Sequence, residues 1–369
     1  MTDKRWAYSP DEVSAPGDTL QELLSERGIT QKDLAARTGR PLKTINEIVK
    51  RKAQITPETA LQLERALGLP AAFWNEREAH YRGYLARIEA DKKATQWLNW
   101  LDELPLKEMI KAEALPKVRL TTENRKELLD AALKFFAIAS PGEWRDIYAK
   151  PQVAYRRTRK EQSDRGAISA WLRLGELQAE QCDCSVFDAR KFGGALDAIR
   201  KMTVQPPEKF HSAMTRLCAD AGVVVAFVPA IPRAHVSGAA RWVNRRAVIQ
   251  LSLYGKMNDR FWFTFFHEAA HILLHGRNEV FLDDLVSNVR ESDFEREANK
   301  FAAEFLIPPK FDVQLSSLTT EPEITQFAKK IEIHPGIVVG RLQHEGCLPY
   351  NTSLNYLKAR FKLVRESAE

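Results

Sequence analysis

One segment, FWFTFFHEAAHILLHG at residues 261–276, constrains the fold of this chain more than any other. It is apolar nearly all round, so a helix formed here has to be buried on most of its circumference. Such a helix needs further layers of structure packed around it. The two histidines and the glutamate in its middle argue against a membrane span. The segment therefore predicts a core helix whose few polar side chains are available for chemistry.

The polar residues of this helix have the spacing of a zinc site. His267 and His271 are four apart, so both imidazoles leave one face and can share a tetrahedral zinc ion. Glu268 stands beside the first histidine, where a carboxylate can act as a general base. His275 lies too far along a continuous helix to join the same tetrahedron, and we expect it near the ligands, capping the helix or lining the cleft. Gly276 can end the helix.

Three runs rich in β-branched residues precede the HEAAH helix. They are GVVVAFVPAI from Gly222, SGAARWV from Ser237 and RAVIQLSL from Arg246. Together with the helix they predict a small α+β, zincin-like domain with a short sheet.

A later amphipathic helix, SDFEREANKFAAEFLIPP at residues 292–309, supplies the third ligand. Its expected core stripe is Phe294, Ala298, Phe301 and Phe305. Glu295 and Glu297 flank that stripe on opposite sides, and periodicity alone permits either. We prefer Glu295, because its side of the helix is the less polar, with Asn299 one turn on to orient an imidazole. Ser292 followed by Glu295 also fits a capping box, which would need no metal.

The N-terminal part, residues 16–74, has the pattern of five short helices. Leu20, Leu23 and Leu24 share one helical face that Gly28 ends. Thr30 suits the N-cap of a second helix. A tight turn at Gly39 and a third helix from Pro41 follow, and Thr56-Pro57 opens a fourth, packed by Leu61, Leu63, Ala66 and Leu67. Two short helices joined by a tight turn place the second in the DNA major groove.

Positive charge is concentrated in this helix pair. The chain has a sequence pI of about 9.0 and a net charge of +6. Between Arg27 and Lys52 we count eight basic residues against two acidic ones, as expected where phosphates would lie. We expect contact with bases from Leu42, Lys43, Thr44 and Asn46, and contact with the DNA backbone from Gln31, Arg40, Lys50 and Arg51. A single reader of this size usually binds a two-fold operator as a homodimer.

The remaining segments carry less information. Residues 76–205 are expected to form a helical connector or dimerisation region, and the basic run YRRTRKEQSDRG a solvated loop. The tail, residues 316–369, repeats the spacing of the helix pair, but its second helix has little charge, so we expect a packed structural pair. Four cysteines do not make a disulfide scaffold, and no signal peptide or membrane segment is evident, so we expect a cytoplasmic protein.

The N-terminal segment resembles the XRE/Cro-type helix-turn-helix, and closely its HigA-like antidote subgroup. The matching elements are GITQKDLA, INEIVK, ITPETALQLE and LGLPAAFW. The resemblance implies a five-helix, lambda-repressor-like domain that binds double-stranded DNA. Arg51 stands where that subgroup usually has glycine, and we expect it to add a contact to the DNA backbone.

FTFFHEAAHILLH and EREANKFAAEFLIP look like the ImmA/IrrE-type metallopeptidase family over residues 208–309. The resemblance implies zinc held by His267, His271 and Glu295, with Glu268 as catalytic base, and cleavage of a repressor-type protein. Ala269-Ala270 replaces the common Leu-Gly.

These observations predict a mainly α protein of five segments: a tail at residues 1–16, a helix-turn-helix domain at 17–75, a connector at 76–205, a zinc domain at 206–315 and a helical tail at 316–369. We expect a DNA-binding repressor or antitoxin whose peptidase domain cuts a regulatory protein, with a protein substrate or cognate toxin as partner. The alternative is a non-enzymatic repressor whose zinc domain senses a signal or binds a partner.

Overall fold

The computed structural model describes residues 13–149, 164–252, 257–275, 281–283 and 293–361. The chain divides into two compact units, Met1–Gln96 and Trp97–Glu369. Among the described residues, no helix is long and apolar enough to cross a membrane. Most of the basic run from Tyr155, together with Gly276 and Ser292, lies outside the described residues, so the expected helix end and the capping-box alternative stay untested.

The first unit contains five helices, as expected, but the fifth is 27 residues long and continues into the segment expected as a connector. They are α1 (Pro16–Glu26), α2 (Gln31–Thr38), α3 (Leu42–Val49), α4 (Pro57–Leu67) and α5 (Ala71–Trp97). The Thr30 hydroxyl accepts a hydrogen bond from the Asp33 backbone N–H at 3.1 Å, which confirms the predicted cap. Gly39 has φ +64°, the left-handed conformation that lets the chain turn between α2 and α3.

A separate apolar core holds this first unit together. Leu20, Leu34, Ile45, Leu63 and Trp74 are all fully buried in it. Leu61 was expected in this core but is 48% exposed, because it lies on the outer face of α4.

The second unit is mainly helical. Its helices in the first half are α6 (Leu106–Lys111), α7 (Arg125–Phe136), α8 (Pro141–Trp144), α9 (Arg165–Gln181), α10 (Ala189–Lys201) and α11 (Pro207–Asp220). Those in the second half are α12 (Asn258–Leu274), α13 (Asp293–Leu306), α14 (Asp312–Ser316), α15 (Glu321–Lys330) and α16 (Pro335–His344). One π-helical and several 3-10 turns connect them.

A four-stranded sheet lies between these helices. Its strands are β1 (Val223–Phe227), β2 (Gly238–Val243), β3 (Arg246–Leu251) and β4 (Phe281–Asp283), in the order β1-β3-β2-β4. β1 runs parallel to β3, whereas β2 runs antiparallel to both β3 and β4. The first three strands confirm the three predicted runs, and β4 has no counterpart among the sequence expectations.

Alternate residues of the sheet face two different layers, as the pleat requires. Val223 and Ile249 belong to the large core that also contains α12. Val224 and Val248 instead pack with Ala179 of α9. The HEAAH segment therefore forms a buried helix on one face of the sheet, as its composition predicts.

Helix α13 packs against α12, but the stripe that it buries differs from the expected one. Ala298, Ala302 and Leu306 are buried, whereas Phe294 is 43% exposed and is not a core residue. The small side chains at 298 and 302 face inward, and the aromatic side chains lie to the side of that line. The buried stripe is thus rotated towards the side of the helix that carries Glu295.

The tail helices α15 and α16 are structural, as expected. Phe327 and Val338 are buried in the same core as α12. Glu332 has φ +56°, so it takes the left-handed turn position that Gly39 takes in the first unit. Half-buried Lys358 and buried Asp259 form an ion pair that ties the tail to the start of α12.

Candidate functional site

The two histidines of the HEAAH motif converge as their spacing predicts. Their Nε2 atoms are 3.0 Å apart, and both side chains are 1% exposed. The helix brings them together because residues four apart are stacked on one face, one turn above the other. Both Nε2 atoms thus point at one place beside the helix.

Glu295 of α13 approaches the same place. Its carboxylate oxygens lie 3.2 Å from the Nε2 of His267 and 3.5 Å from the Nε2 of His271. Ligand atoms of a tetrahedral zinc ion, with bonds of about 2.0–2.1 Å, lie about 3.3 Å from one another. The three observed separations bracket this value, and two imidazoles with one carboxylate are a donor set that zinc accepts. The residues therefore fit the ion.

Burial determines which form of His271 is present. Removal from water, together with the neighbouring imidazoles of His267 and His275, lowers the pKa of His271 from its ordinary value to about 2. The ring is therefore neutral at physiological pH. Its contact with Glu295 is accordingly not an ion pair, and the neutral ring can offer a lone pair to a metal cation.

The other candidate carboxylate, Glu297, makes a different contact. Its Oε2 lies 3.2 Å from the Nε2 of His275, and its side chain is 62% exposed. His275 in turn places its Nδ1 2.8 Å from the Nδ1 of His271. Between the two acids that periodicity permits, Glu295 is the one that reaches both histidines of the motif. The expected position of His275 next to a ligand agrees with this geometry.

Glu268, the expected general base, is fully buried next to strand β2. A Cβ atom added to Gly238 would lie 2.6 Å from its Oε1 and 2.6 Å from the Cγ2 of Thr264. Only a glycine lets the strand pass this close to the glutamate. β2 therefore limits where the Glu268 carboxylate can go. Asn299 is half-buried on α13, one turn after Glu295, and its role as an orienting residue stays a prediction.

The residues expected to contact bases lie on α3, and Gln31, expected at the DNA backbone, begins α2. Leu42 is 48% exposed and the Lys43 side chain 84%, and with Thr44 they form the first turn of α3. The N-terminal residues of a recognition helix are those that reach base edges. The placement of these residues suits the expected role, which stays a prediction.

Asn46 and Gln31 are joined across the two helices. The Nδ2 of Asn46 donates to the Oε1 of Gln31 at 3.1 Å, and the Nε2 of Gln31 donates to Gln21 at 3.0 Å. This chain of amides holds the side chain of Asn46 in one orientation. Lys50, at the end of α3, is exposed.

Two of the expected backbone contacts have partners within the unit. Arg40 donates to Gln62 at 2.7 Å and pairs with Glu58 at 2.8 Å. Arg51 pairs with Asp18 at 2.9 Å and has φ +63°, the conformation that glycine would adopt without strain. In each ion pair at least one of the two side chains is exposed, so DNA phosphates can compete for both arginines.

Gly238, which lies against the expected base Glu268, is a residue that the sequence alone did not single out. A glycine inside a run of strand residues is the signal that could have pointed to it, because such a glycine often marks a close approach of another group. The identity of that group, Glu268, depends on how α12 crosses β2, and no local pattern contains this information.

Two segments of the chain match known protein families. Residues 218–318 match the peptidase M78 family, described as the IrrE N-terminal-like domain. Residues 20–74 match the helix-turn-helix family. Among solved structures, an addiction module antidote protein of a HigA family from Coxiella burnetii is 26% identical, over 23% of this chain and 94% of its own, with a TM-score of 0.22. No curated protein matches the chain.

The fold and the matches define a mainly α protein with an N-terminal helix-turn-helix domain and a small α+β region in its second unit. The chain contains a helix-turn-helix domain followed by a domain of the peptidase M78 family. The two family matches confirm the helix-turn-helix and the ImmA/IrrE-type resemblances inferred from the sequence.

Proposed function

We propose that this protein is a DNA-binding transcriptional regulator of the repressor or antitoxin type, and that its second unit is a zinc-dependent endopeptidase which cleaves a regulatory protein. The single observation that carries the enzymatic part is the convergence of His267, His271 and Glu295 beside a buried Glu268. A site that served only to stabilise the fold would have no use for a carboxylate next to its first ligand.

The mechanism follows from the residues present. Zinc held by His267, His271 and Glu295 would polarise a peptide carbonyl and make a water molecule more acidic. Glu268 accepts the proton that the attacking water loses, and as the resulting acid it donates that proton to the leaving nitrogen. Gly238 keeps strand β2 against Glu268, so the carboxylate is held in place while it carries the proton. Glu295 is 30% exposed, so the site is open to solvent on the side of α13.

The substitution Glu268→Gln tests the enzymatic part without a known substrate. The amide cannot accept the proton, yet it leaves all three metal ligands in place. New protein N-termini are compared in cells that express the wild type or the variant. We expect a defined set of new N-termini only with the wild type, and equal zinc content in the two purified proteins.

If the two proteomes are the same while zinc and DNA binding are normal, the domain is not a peptidase in these cells. The second candidate, a zinc domain that senses a signal or binds a partner, would then take its place.

The regulatory part rests on the exposed first turn of α3 and on the basic residues around it. We propose that the protein binds a two-fold operator as a homodimer, with Leu42, Lys43, Thr44 and Asn46 at the bases. The antidote type follows from the resemblance of residues 16–74, and a cognate toxin is the partner that it implies. Selection from a random duplex library should return an inverted repeat, and a single unrepeated site would contradict the dimer.

A further inference from the structure

His275 and Glu297 continue the candidate zinc site beyond its three ligands. The Nε2 of His271 faces His267 and Glu295, while its Nδ1 lies 2.8 Å from the Nδ1 of His275. The Nε2 of His275 lies 3.2 Å from Oε2 of Glu297. Three side chains, those of His271, His275 and Glu297, thus stand in line from the place where a metal would bind to the protein surface.

Only one arrangement of protons lets His271 bind a metal through Nε2. A neutral imidazole has one N–H and one lone pair, so a lone pair on Nε2 requires the proton on Nδ1. This proton points at the Nδ1 of His275, which must accept it and therefore carries its own proton on Nε2. That second proton points at Glu297, and an ionised carboxylate accepts it. Each hydrogen bond in the line then has one donor and one acceptor.

We propose that His275 and Glu297 are positioning residues: together they hold His271 in the tautomer and ring orientation that present Nε2 to zinc. The proposal rests on the proposed function, in which His267, His271 and Glu295 hold the metal. A carboxylate that orients a ligating histidine is common in zinc sites. Here a second histidine carries the effect of the carboxylate to the ligand, across one turn of α12.

The geometry also gives separate roles to the two acids of α13. Glu295 is 30% exposed and reaches His267 and His271, whereas Glu297 is 62% exposed and reaches His275. The ring of Phe294 packs on His275, with centroids 4.7 Å apart, and limits rotation of that imidazole. Glu297 therefore acts on the metal site through His275.

The experiment measures zinc affinity by competition with a chelator, for the full-length wild type and four variants. His275→Ala and Glu297→Ala should each weaken zinc binding by about 10- to 100-fold. The double variant should lose no more zinc affinity than the weaker-binding single variant, because either change interrupts the same series of hydrogen bonds. Glu297→Gln should recover most of the affinity, since its amide oxygen still accepts from His275.

A matched control is Glu304→Ala. Glu304 lies on the same helix with 43% of its side chain exposed and an ion pair with Lys300 at 3.9 Å, so its loss should leave zinc affinity within about twofold. A second readout is the visible absorption of the cobalt-substituted proteins, which reports on the ligands around the metal. The bands should shift in His275→Ala and Glu297→Ala and stay unchanged in the control.

Wild-type zinc affinity in both alanine variants would overturn the proposal and leave the zinc site standing. So would a lower melting temperature of the metal-free variants with unchanged cobalt bands, since that result indicates a structural role only. A wild type that binds no zinc would instead contradict the proposed function, on which this inference depends.

Discussion

The two regions with candidate functions place their polar residues in opposite surroundings. In the helix-turn-helix domain, Leu42 and Lys43 project from the surface, while a separate apolar core beneath them carries the fold. In the second unit, His267, Glu268 and His271 are at most 1% exposed and are part of the interior. Changes in the first region should therefore alter binding and spare stability, whereas changes in the second should alter both.

Removal of the metal should have the largest effect and should separate the two regions. A ligand at a hundred times its dissociation constant stabilises the folded state by about 2.7 kcal/mol. A strong chelator should therefore lower the unfolding temperature of the second unit by several degrees, because two buried imidazoles and a carboxylate lose their shared cation. Calorimetry on the full chain measures this.

The transition of the first unit serves as the internal control in that experiment. It should not move, because its core contains no candidate ligand among its described residues. An equal shift of both transitions would show that removal of the metal destabilises the two units together.

Gly238→Ala should separate catalysis from metal binding within the second unit. The added methyl group would meet the Glu268 carboxylate at 2.6 Å, so that carboxylate has to move. A displacement of about 1 Å can reduce a rate by about a hundredfold. The yield of new protein N-termini should fall to that extent with zinc content unchanged.

A suitable control is Gly194→Ala in α10, where a Cβ atom meets nothing within 4 Å. This change should preserve the cleavage pattern. Full activity in Gly238→Ala would mean that Glu268 tolerates displacement and is not the base.

Substitutions on the surface of α3 should change DNA specificity and leave stability alone. Lys43→Ala and Asn46→Ala should each cost about 1–3 kcal/mol of discrimination at the base pairs that they contact. The selected operator should become degenerate at those positions, while the melting temperature stays the same. Arg65→Ala, on α4, is the charge-matched control. Unaltered operator preference in both test variants would show that α3 is not the recognition helix.

Arg51→Gly should have the smallest effect, and it should raise the stability of the domain while it weakens DNA binding. Glycine removes the strain of a left-handed residue, and about 1 kcal/mol of stability should be gained. The loss of one positive charge should reduce the slope of DNA affinity against salt by about one. Chemical denaturation and salt titration check the two halves, and a destabilised variant would show that the ion pair with Asp18 outweighs the strain.

The sequence was sufficient to predict the structure wherever a pattern repeats along the chain. Helical period, caps and turn glycines predicted the five N-terminal helices, and the four-residue spacing predicted the convergence of His267 and His271. It failed where the outcome depends on how distant elements meet. The exposure of Phe294 followed from the rotation of α13 against α12, and the pairing of Arg40 with Glu58 followed from the position of α4.

The choice between Glu295 and Glu297 illustrates the limit most clearly. Glu295 lies in the first turn of α13 and Glu297 follows two residues later, and periodicity alone permits either as ligand. Only the packed structure distinguishes them, since one carboxylate reaches the two imidazoles of the motif and the other reaches His275.

Zinc content of the purified protein and of two variants shows whether His267, His271 and Glu295 together hold the metal. Elemental analysis after dialysis should find about one zinc ion per chain in the wild type and almost none in Glu295→Ala, which loses a ligand. Glu297→Ala, analysed at a zinc concentration that allows for weaker binding, should still hold about one. Retained zinc in Glu295→Ala with lost zinc in Glu297→Ala would contradict the account.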